Sequence, residues 1–271
     1  AATFSTDADD DINFTSAWQG CTQLESFPAL NLSRGTNFTL AWRDCTDASF
    51  TSFPAVTFST HADDDINFQQ AWHNCNKLTS FPALDLSRGT GFYYAWYGCA
   101  ALTSFPSCTF SDDAGDNVNF NNAWHDCTGL TSFPSDINLS RGTSFDLSWY
   151  NTRIVSFPAF DLSAATTAEY AFGNNSAMVS WGACNMNACR DFRLAWYNNT
   201  SLTTFPAGVF DDWAPTSVSS GCFDDAWHSC TALTEQSVEN ILLSISASGI
   251  HATTDGTANT AAIAGKEITI H

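Results

Sequence analysis

The chain has 271 residues, with 28 Asp and Glu against 9 Lys and Arg for a formal net charge of −19, and aromatic residues make up 14% of it, including 22 Phe and 10 Trp. That apolar content offsets the entropy of ordering and excludes a disordered chain, while the acidity repels phosphate backbones and excludes nucleic acid as a partner. No apolar run reaches the length of a bilayer span, and the opening AATFSTDADDD lacks the basic start and apolar core of a signal peptide, so no membrane insertion is expected.

In chain order, an acidic opening leads into residues 14–28, FTSAWQGCTQLESFP, the first copy of a unit that returns without a gap at 68–82, 92–106 and 120–134. Residues 1–14 align position for position with 55–68, which places the start of the sequence inside a repeat and reads as a piece of a longer polypeptide or assembly. The central ring of each copy falls at Trp18, Trp42, Trp72, Trp96, Trp124, Trp149, Phe172, Trp196 and Trp227, with spacings of 24, 30, 24, 28, 25, 23, 24 and 31. One apolar set per period of this length marks a solenoid.

Within a unit, Phe14, Trp18 and Cys21 stand at i, i+4 and i+7, which predicts the buried face of a short helix. Leu24 and Phe27 continue at three-residue steps and predict a short parallel strand that Pro28 ends. The same slots place Trp72, Cys75, Trp96, Cys99, Trp124 and Cys127 in the core. Spacers alternate between Ser-Arg-Gly-Thr turns around Arg34, Arg88 and Arg141, which recur after 54 and 53 residues, and Asp-rich loops. After Trp227, the apolar residues Val238, Ile241, Leu242 and Ile245 predict an amphipathic helix over 236–246 behind a Ser or Thr cap, ended by Gly249, with a last strand at 267–270.

The predicted fold class is therefore an α/β repeat solenoid, leucine-rich-repeat-like, of about nine coils, each a short helix plus a short parallel strand. Residues 1–236 form the solenoid, and residues 237–271 form a C-terminal capping helix and final strand.

Four groups of residues carry candidate chemistry. The Asp clusters, with Asp9 and Asp11, Asp63 and Asp65, and Asp112 and Asp116, offer hard oxygen ligands in loops, and two readings stay open: a Ca²⁺ site, or a solvated acidic edge. Arg34, Arg88 and Arg141 form a row that either grips an acidic ligand or ties each turn to Asp side chains of adjacent coils. Tyr93, Tyr94, Tyr97, Tyr150 and Tyr197 form a row of exposed rings with two readings: a sugar or protein contact surface, or ordinary helix surface. His73, His125 and His228 each stand two residues before a Cys, but the His faces solvent and the Cys the core, so zinc is not expected there. Six cysteines share one inward slot as an unpaired ladder, whereas Cys184 and Cys189 flank a four-residue loop and are the best disulfide pair. No phosphate loop, zinc-protease helix or nucleophile elbow occurs, and no enzyme activity is expected.

The unit A-W-x-x-C-x-x-L-T-S-F-P with its Ser-Arg-Gly-Thr spacer resembles the BspA-like branch of leucine-rich-repeat surface proteins, which carry A-F-x-x-C-x-x-L at the same spacing. It is more similar still to repeat proteins of marine cyanophages, whose arrays run into a segment like residues 233–245, and the match covers about residues 1–250. The chain departs from the wider family in using Trp where Phe or Met is usual. The resemblance implies a non-enzymatic recognition or adhesion module, extracellular or on a virion surface, that binds a cell-surface glycan or protein. The alternative it implies is a structural subunit of a fibre, filament or phage tail, joined to neighbouring copies or virion proteins through the solenoid ends.

Overall fold

The computed structural model describes residues 11–61 and 65–249. Their backbone winds into a stack of coils, a repeat solenoid. Six short strands pair in parallel and in sequence order: β1 (Ile12–Asn13), β2 (Gly35–Asn37), β3 (Ile66–Asn67), β4 (Gly89–Gly91), β5 (Val118–Asn119) and β6 (Gly142–Ser144). A second parallel pair, β7 (Ser156–Phe157) and β8 (Ser180–Trp181), belongs to another face of the coils.

The rings that mark the period stack into a continuous column. Centroids are 5.2 Å apart between Trp18 and Trp42, 5.3 Å between Trp72 and Trp96, 5.5 Å between Trp149 and Phe172 and 5.0 Å between Trp196 and Trp227, all near-parallel. Phe14, Phe38, Phe68, Phe92, Phe120 and Phe145 form a second column at 5.1–5.4 Å. A third column, with Phe27, Phe53 and Phe81, meets the Trp rings edge to face, an arrangement favoured by the ring quadrupoles. Gly35, Gly89 and Gly142 of the Ser-Arg-Gly-Thr turns leave room for the Phe three residues on, since a Cβ at each would overlap the ring of Phe38, Phe92 or Phe145.

The expected short helix in each unit is not formed; α1 (Glu235–Ala247) is the one α-helix among the described residues. Residues 14–24 instead run as successive four-residue turns closed by Ala17 N–H to Phe14 O (3.0 Å), Cys21 N–H to Trp18 O (3.3 Å) and Leu24 N–H to Cys21 O (3.0 Å). The intervening N–H groups reach the next coil: Ser16 donates to Thr39 O (2.9 Å), Trp18 to Ala41 O (2.8 Å) and Gly20 to Arg43 O (2.8 Å). A helix needs every N–H for its own i−4 carbonyl. Here half of them join coil to coil, and the third residue of the first two turns, Ser16 and Gly20, has positive φ, the type II pattern.

The sequence meets that demand at one of the two positive-φ columns. Two residues after the first eight rings stand Gly20, Asp44, Asn74, Gly98, Asp126, Asn151, Asn174 and Asn198, the residue types that tolerate the left-handed region, and Ser229 takes the same conformation after Trp227. The other column, two residues before the ring, carries Leu40, Tyr94, Leu147 and Leu194 and is held there by the stack around it.

The strand expected at the Leu-x-Ser-Phe segment is found as β7, β8 and isolated parallel bridges between Ser52 and Ser80, Ser104 and Ser132, and Ser180 and Thr204. The longer sheet lies elsewhere, just before the first Phe of each unit. The inward slots are as read from the spacing, except in the first unit. Phe14 and Phe27 are buried, but Trp18, Cys21 and Leu24 are only half-buried, because the described coils lie on one side of them.

All ten cysteines are free thiols, so the expected bond between Cys184 and Cys189 is absent. Cys184 Sγ points to Pro158 O at 3.6 Å, while Cys189 Sγ points to Asp191 O at 3.3 Å. In the shared slot the thiols from Cys45 on donate to the carbonyl of the ring residue one coil back: Cys45 to Trp18 O at 3.2 Å, Cys99 to Trp72 O at 3.2 Å, Cys127 to Trp96 O at 3.1 Å. Where Cys is lost, Asn175 and Asn199 take over through their amides, at 2.9 Å from Trp149 O and 2.9 Å from Phe172 O.

Helix α1 packs on the Phe205 and Phe210 segment. Thr234 caps it by accepting from Ser237 N–H, and Gly249, at φ +69°, turns the chain after it. Its buried face is Ser237, Ile241, Ser244 and Ile245 rather than the full apolar set expected, and the two serines accept backbone N–H groups of Phe205 (3.0 Å) and Phe210 (2.7 Å). These two N–H groups of the described stack thus find acceptors in a helix. Val238, Leu242 and Leu243 are left on the outer side, where they line an open recess with Leu233, Glu235 and Glu239. Residues 267–270 lie outside the described residues. No described helix is long and apolar enough to cross a membrane.

Candidate functional site

The turn that follows each core ring sends its next side chain outward, since the ring points in and the turn reverses the chain. With Tyr170, which stands two residues before Phe172 in the coil where the next position is Gly173, these side chains build an aromatic ridge across successive coils. His73 stacks on Tyr97 at 4.7 Å, Tyr97 meets His125 at 4.9 Å, His125 meets Tyr150 at 5.1 Å, Tyr150 meets Tyr170 at 5.7 Å, Tyr170 meets Tyr197 at 6.2 Å, and Tyr197 stacks on His228 at 5.6 Å. Tyr94 and Tyr93 extend it sideways, with centroids 5.2 Å between Tyr94 and Tyr97 and 4.3 Å between Tyr93 and Tyr94.

Beside the rings runs a polar ladder from the left-handed positions. Asn74 Nδ2 donates to Asp44 Oδ1 at 3.0 Å, Asn151 to Asp126 at 2.7 Å, Asn174 to Asn151 Oδ1 at 3.1 Å, and Asn198 to Asn174 Oδ1 at 2.8 Å. Gly98 interrupts it where Asn74 Oδ1 occupies the space a Cβ would take. Each amide in the chain uses one donor and one acceptor lone pair on its neighbour and keeps further capacity for a ligand.

The tyrosines read as exposed are half-buried, because each ring packs on those of adjacent coils. That burial raises the Tyr94, Tyr97 and Tyr150 hydroxyls above their usual range, for Tyr97 with help from the Asp126 carboxylate. Burial also lowers His73, reinforced by Arg43, and lowers His125 against the opposing pull of Asp126. His125 Nδ1 lies 2.7 Å from Asn122 Oδ1. Each ladder Cys turns its sulfur to a buried carbonyl while the neighbouring His stays on the surface, so the His-x-Cys pairs do not converge.

Arg34 and Arg88 reach back to the Asp loop of the preceding coil, with guanidinium to carboxylate distances of 4.0 Å to Asp11 and 3.9 Å to Asp65. Arg141 makes the same tie through backbone, donating to Ala114 O at 2.5 Å and Asp116 O at 3.3 Å. The row therefore fastens coils. Of the expected cation ligands, Asp9 and Asp63 lie outside the described residues. Asp11, Asp65 and Asp112 are exposed, and Asp116 accepts from the Ser111 hydroxyl. Among the described residues no three His, Cys, Asp or Glu side chains group around a possible metal position.

Reasoning from the sequence missed Tyr170, the three His rings as ridge members, and the whole amide ladder. For the His rings and the ladder the signal was present: aligned on the core ring, the next position is His or Tyr in most copies from Trp72 on, and the one after it is mostly Asn, Asp or Gly; Tyr170, two residues before Phe172, lies outside that pattern.

No family model matches the chain, and no curated protein matches it. A search of solved structures returns a leucine rich cell surface protein from Faecalibacterium prausnitzii A2-165, at 14% identity and a TM-score of 0.17, covering 79% of this chain and 80% of that one. At that score the overlap carries no argument about this chain. The expected likeness to cyanophage repeat proteins finds no support in these comparisons.

Proposed function

We propose that the chain is a non-enzymatic recognition module working outside the cell or on a virion surface, where its ridge holds a cell-surface glycan or protein. Its body is a leucine-rich-repeat-like stack of about nine coils, closed at one end by α1. The observation that carries the reading is the unbroken ring contact from His73 to His228 with its amide ladder alongside. Aromatic side chains bring large contact area at low entropic cost, and amides fix orientation. The acidic loops keep the body soluble and are read as a solvated edge. Fluorescently labelled protein is expected to stain whole cells from a broad panel, and the double variant Tyr150→Ala, Tyr197→Ala is expected to lose that staining. A panel with no staining, or staining indifferent to the variant, removes the reading.

A second reading rests on the first coil. Among the described residues Trp18, Cys21 and Leu24 are half-buried and Gly20, Thr22 and Gln23 lie around an open recess, which suits end-to-end stacking in a fibre or tail. Sedimentation shows concentration-dependent assembly if this is the role, and a monodisperse monomer if it is not.

A further inference from the structure

The geometry points to the occupant of the ridge: an extended, uncharged polysaccharide strand lying along the stack axis, roughly one sugar ring per coil. This rests on the recognition reading and names the ligand class within it. Three observations converge on it.

First, the ridge repeats by translation. From His73 to His228 successive rings stand 4.7–6.2 Å apart, one or two per coil, and from Asp126 to Asn198 each coil adds an amide or carboxylate beside its ring. A polymer of pyranose rings advances by a comparable step and offers the same pair at each step, an apolar C–H face and hydroxyl groups that donate and accept. An extended peptide advances by about 3.3 Å per residue and falls out of step within two coils. Nor is there a strand edge here for a peptide to join, since the backbone N–H groups of the turns are spent on neighbouring coils.

Second, the rings have surface to offer. Between Tyr97 and Tyr197 consecutive rings are near-perpendicular, at 69°, 74°, 81° and 76°. A perpendicular contact covers one face of one ring with the edge of the next, so the ladder does not bury both faces of every ring in itself.

Third, charge selects against anionic polymers. The body carries a net −19, and the ridge itself contains the Asp44 and Asp126 carboxylates, each held by an Asn amide. An anionic glycan meets repulsion along its whole length. Along a row of similar surface groups affinity accumulates over many weak contacts and grows with ligand length.

The test is affinity electrophoresis of the full chain through native gels containing galactomannan, xyloglucan or hydroxyethylcellulose, with alginate as the anionic control. Retardation is expected in at least one neutral gel and none in alginate. Tyr150→Ala with Tyr197→Ala is expected to weaken it by about tenfold or more. Asn151→Gly with Asn174→Gly keeps the left-handed backbone, removes two amides and is expected to weaken it several-fold; it serves if the Tyr pair disturbs folding, which near-ultraviolet dichroism of the Trp column reports. No retardation in any neutral gel, retardation in alginate alone, or retardation that both variants leave unchanged overturns the inference. If that happens while cells still stain through the ridge, only the polysaccharide is lost and the recognition reading stands. If cells fail to stain as well, both fall.

Discussion

At the scale of single residues, the repeated cysteine does two things at once: it fills a narrow slot as a small apolar group, and its thiol hydrogen meets the carbonyl of the preceding ring residue. Asn175 and Asn199 do the second of these with an amide, and Thr152 joins them by donating its N–H and hydroxyl to Asn175 Oδ1, both at 2.7 Å. Burial pushes the thiols of Cys99, Cys108, Cys184 and Cys222 from the usual 9.0 up to about 12. A buried thiol is out of the reagent's reach, so native protein treated with iodoacetamide at neutral pH is expected to label at half-buried Cys21 alone, and at all ten cysteines once denatured. Mass spectrometry reads the difference, and rapid labelling of Cys99 or Cys127 contradicts it.

The same thiols set a pH limit. Above about pH 9 the unfolded chain loses thiol protons that the folded chain keeps until about pH 12, so the folded state binds more protons in that window and stability falls as pH rises through it. Each such thiol contributes a slope of about 1.4 kcal/mol per pH unit there. The melting temperature is expected to hold steady below pH 9 and drop steeply above it, with a shallower drop for Cys108→Ala. A melting temperature flat to pH 11 refutes the assignment.

At the scale of elements, the turn ribbon and the helix differ in where backbone donors go. Positive-φ residues recur on both sides of each core ring, and Asn174 is one, at φ +58°. Asn174→Gly is expected to be near neutral for stability and Asn174→Ala to cost about 1–2 kcal/mol in urea unfolding, because Cβ is penalised there. Equal effects would mean that the amide ladder, not the backbone, holds the turn. At the other end, Ser244 accepts Phe210 N–H and donates to Asp211 Oδ1 at 2.8 Å. Ser244→Ala strands that buried N–H and is expected to cost about 1–3 kcal/mol, whereas Leu243→Ser on the open side stays within about 0.5 kcal/mol.

For the whole molecule, cohesion is one-dimensional: each coil meets only the coils before and after it, and the ring column passes through all of them. Phe172 shows that the column accepts a smaller ring, at 5.5 Å and 5.7 Å from its neighbours. Trp124→Phe is therefore expected to cost little, and Trp124→Ala roughly 3–5 kcal/mol from the cavity it opens. Because the break falls mid-stack, thermal unfolding of the Ala variant is expected to split into two transitions by calorimetry, where wild type shows one. A single shifted transition would mean that the coils unfold as one block.

Period, inward slots and the helix after Trp227 were legible from the sequence, since Phe14, Trp18, Cys21 and their copies recur at fixed steps that only a stack can bury together, whereas the choice between the two readings of the Arg row came from the contacts. What the steps could not decide was the local backbone. A spacing of i, i+4 and i+7 turns the same residues inward in a helix and in a ribbon of type II turns, and the two differ only in whether an N–H such as that of Trp18 bonds within its own coil or to Ala41 O of the next. The half-burial of the tyrosines was likewise decided in three dimensions, because Tyr150 is covered by His125 and Tyr170, which come from the coils on either side. Composition and period thus determine what the core is made of; only contact between coils determines how the backbone closes each turn and which side chains form the ridge outside it.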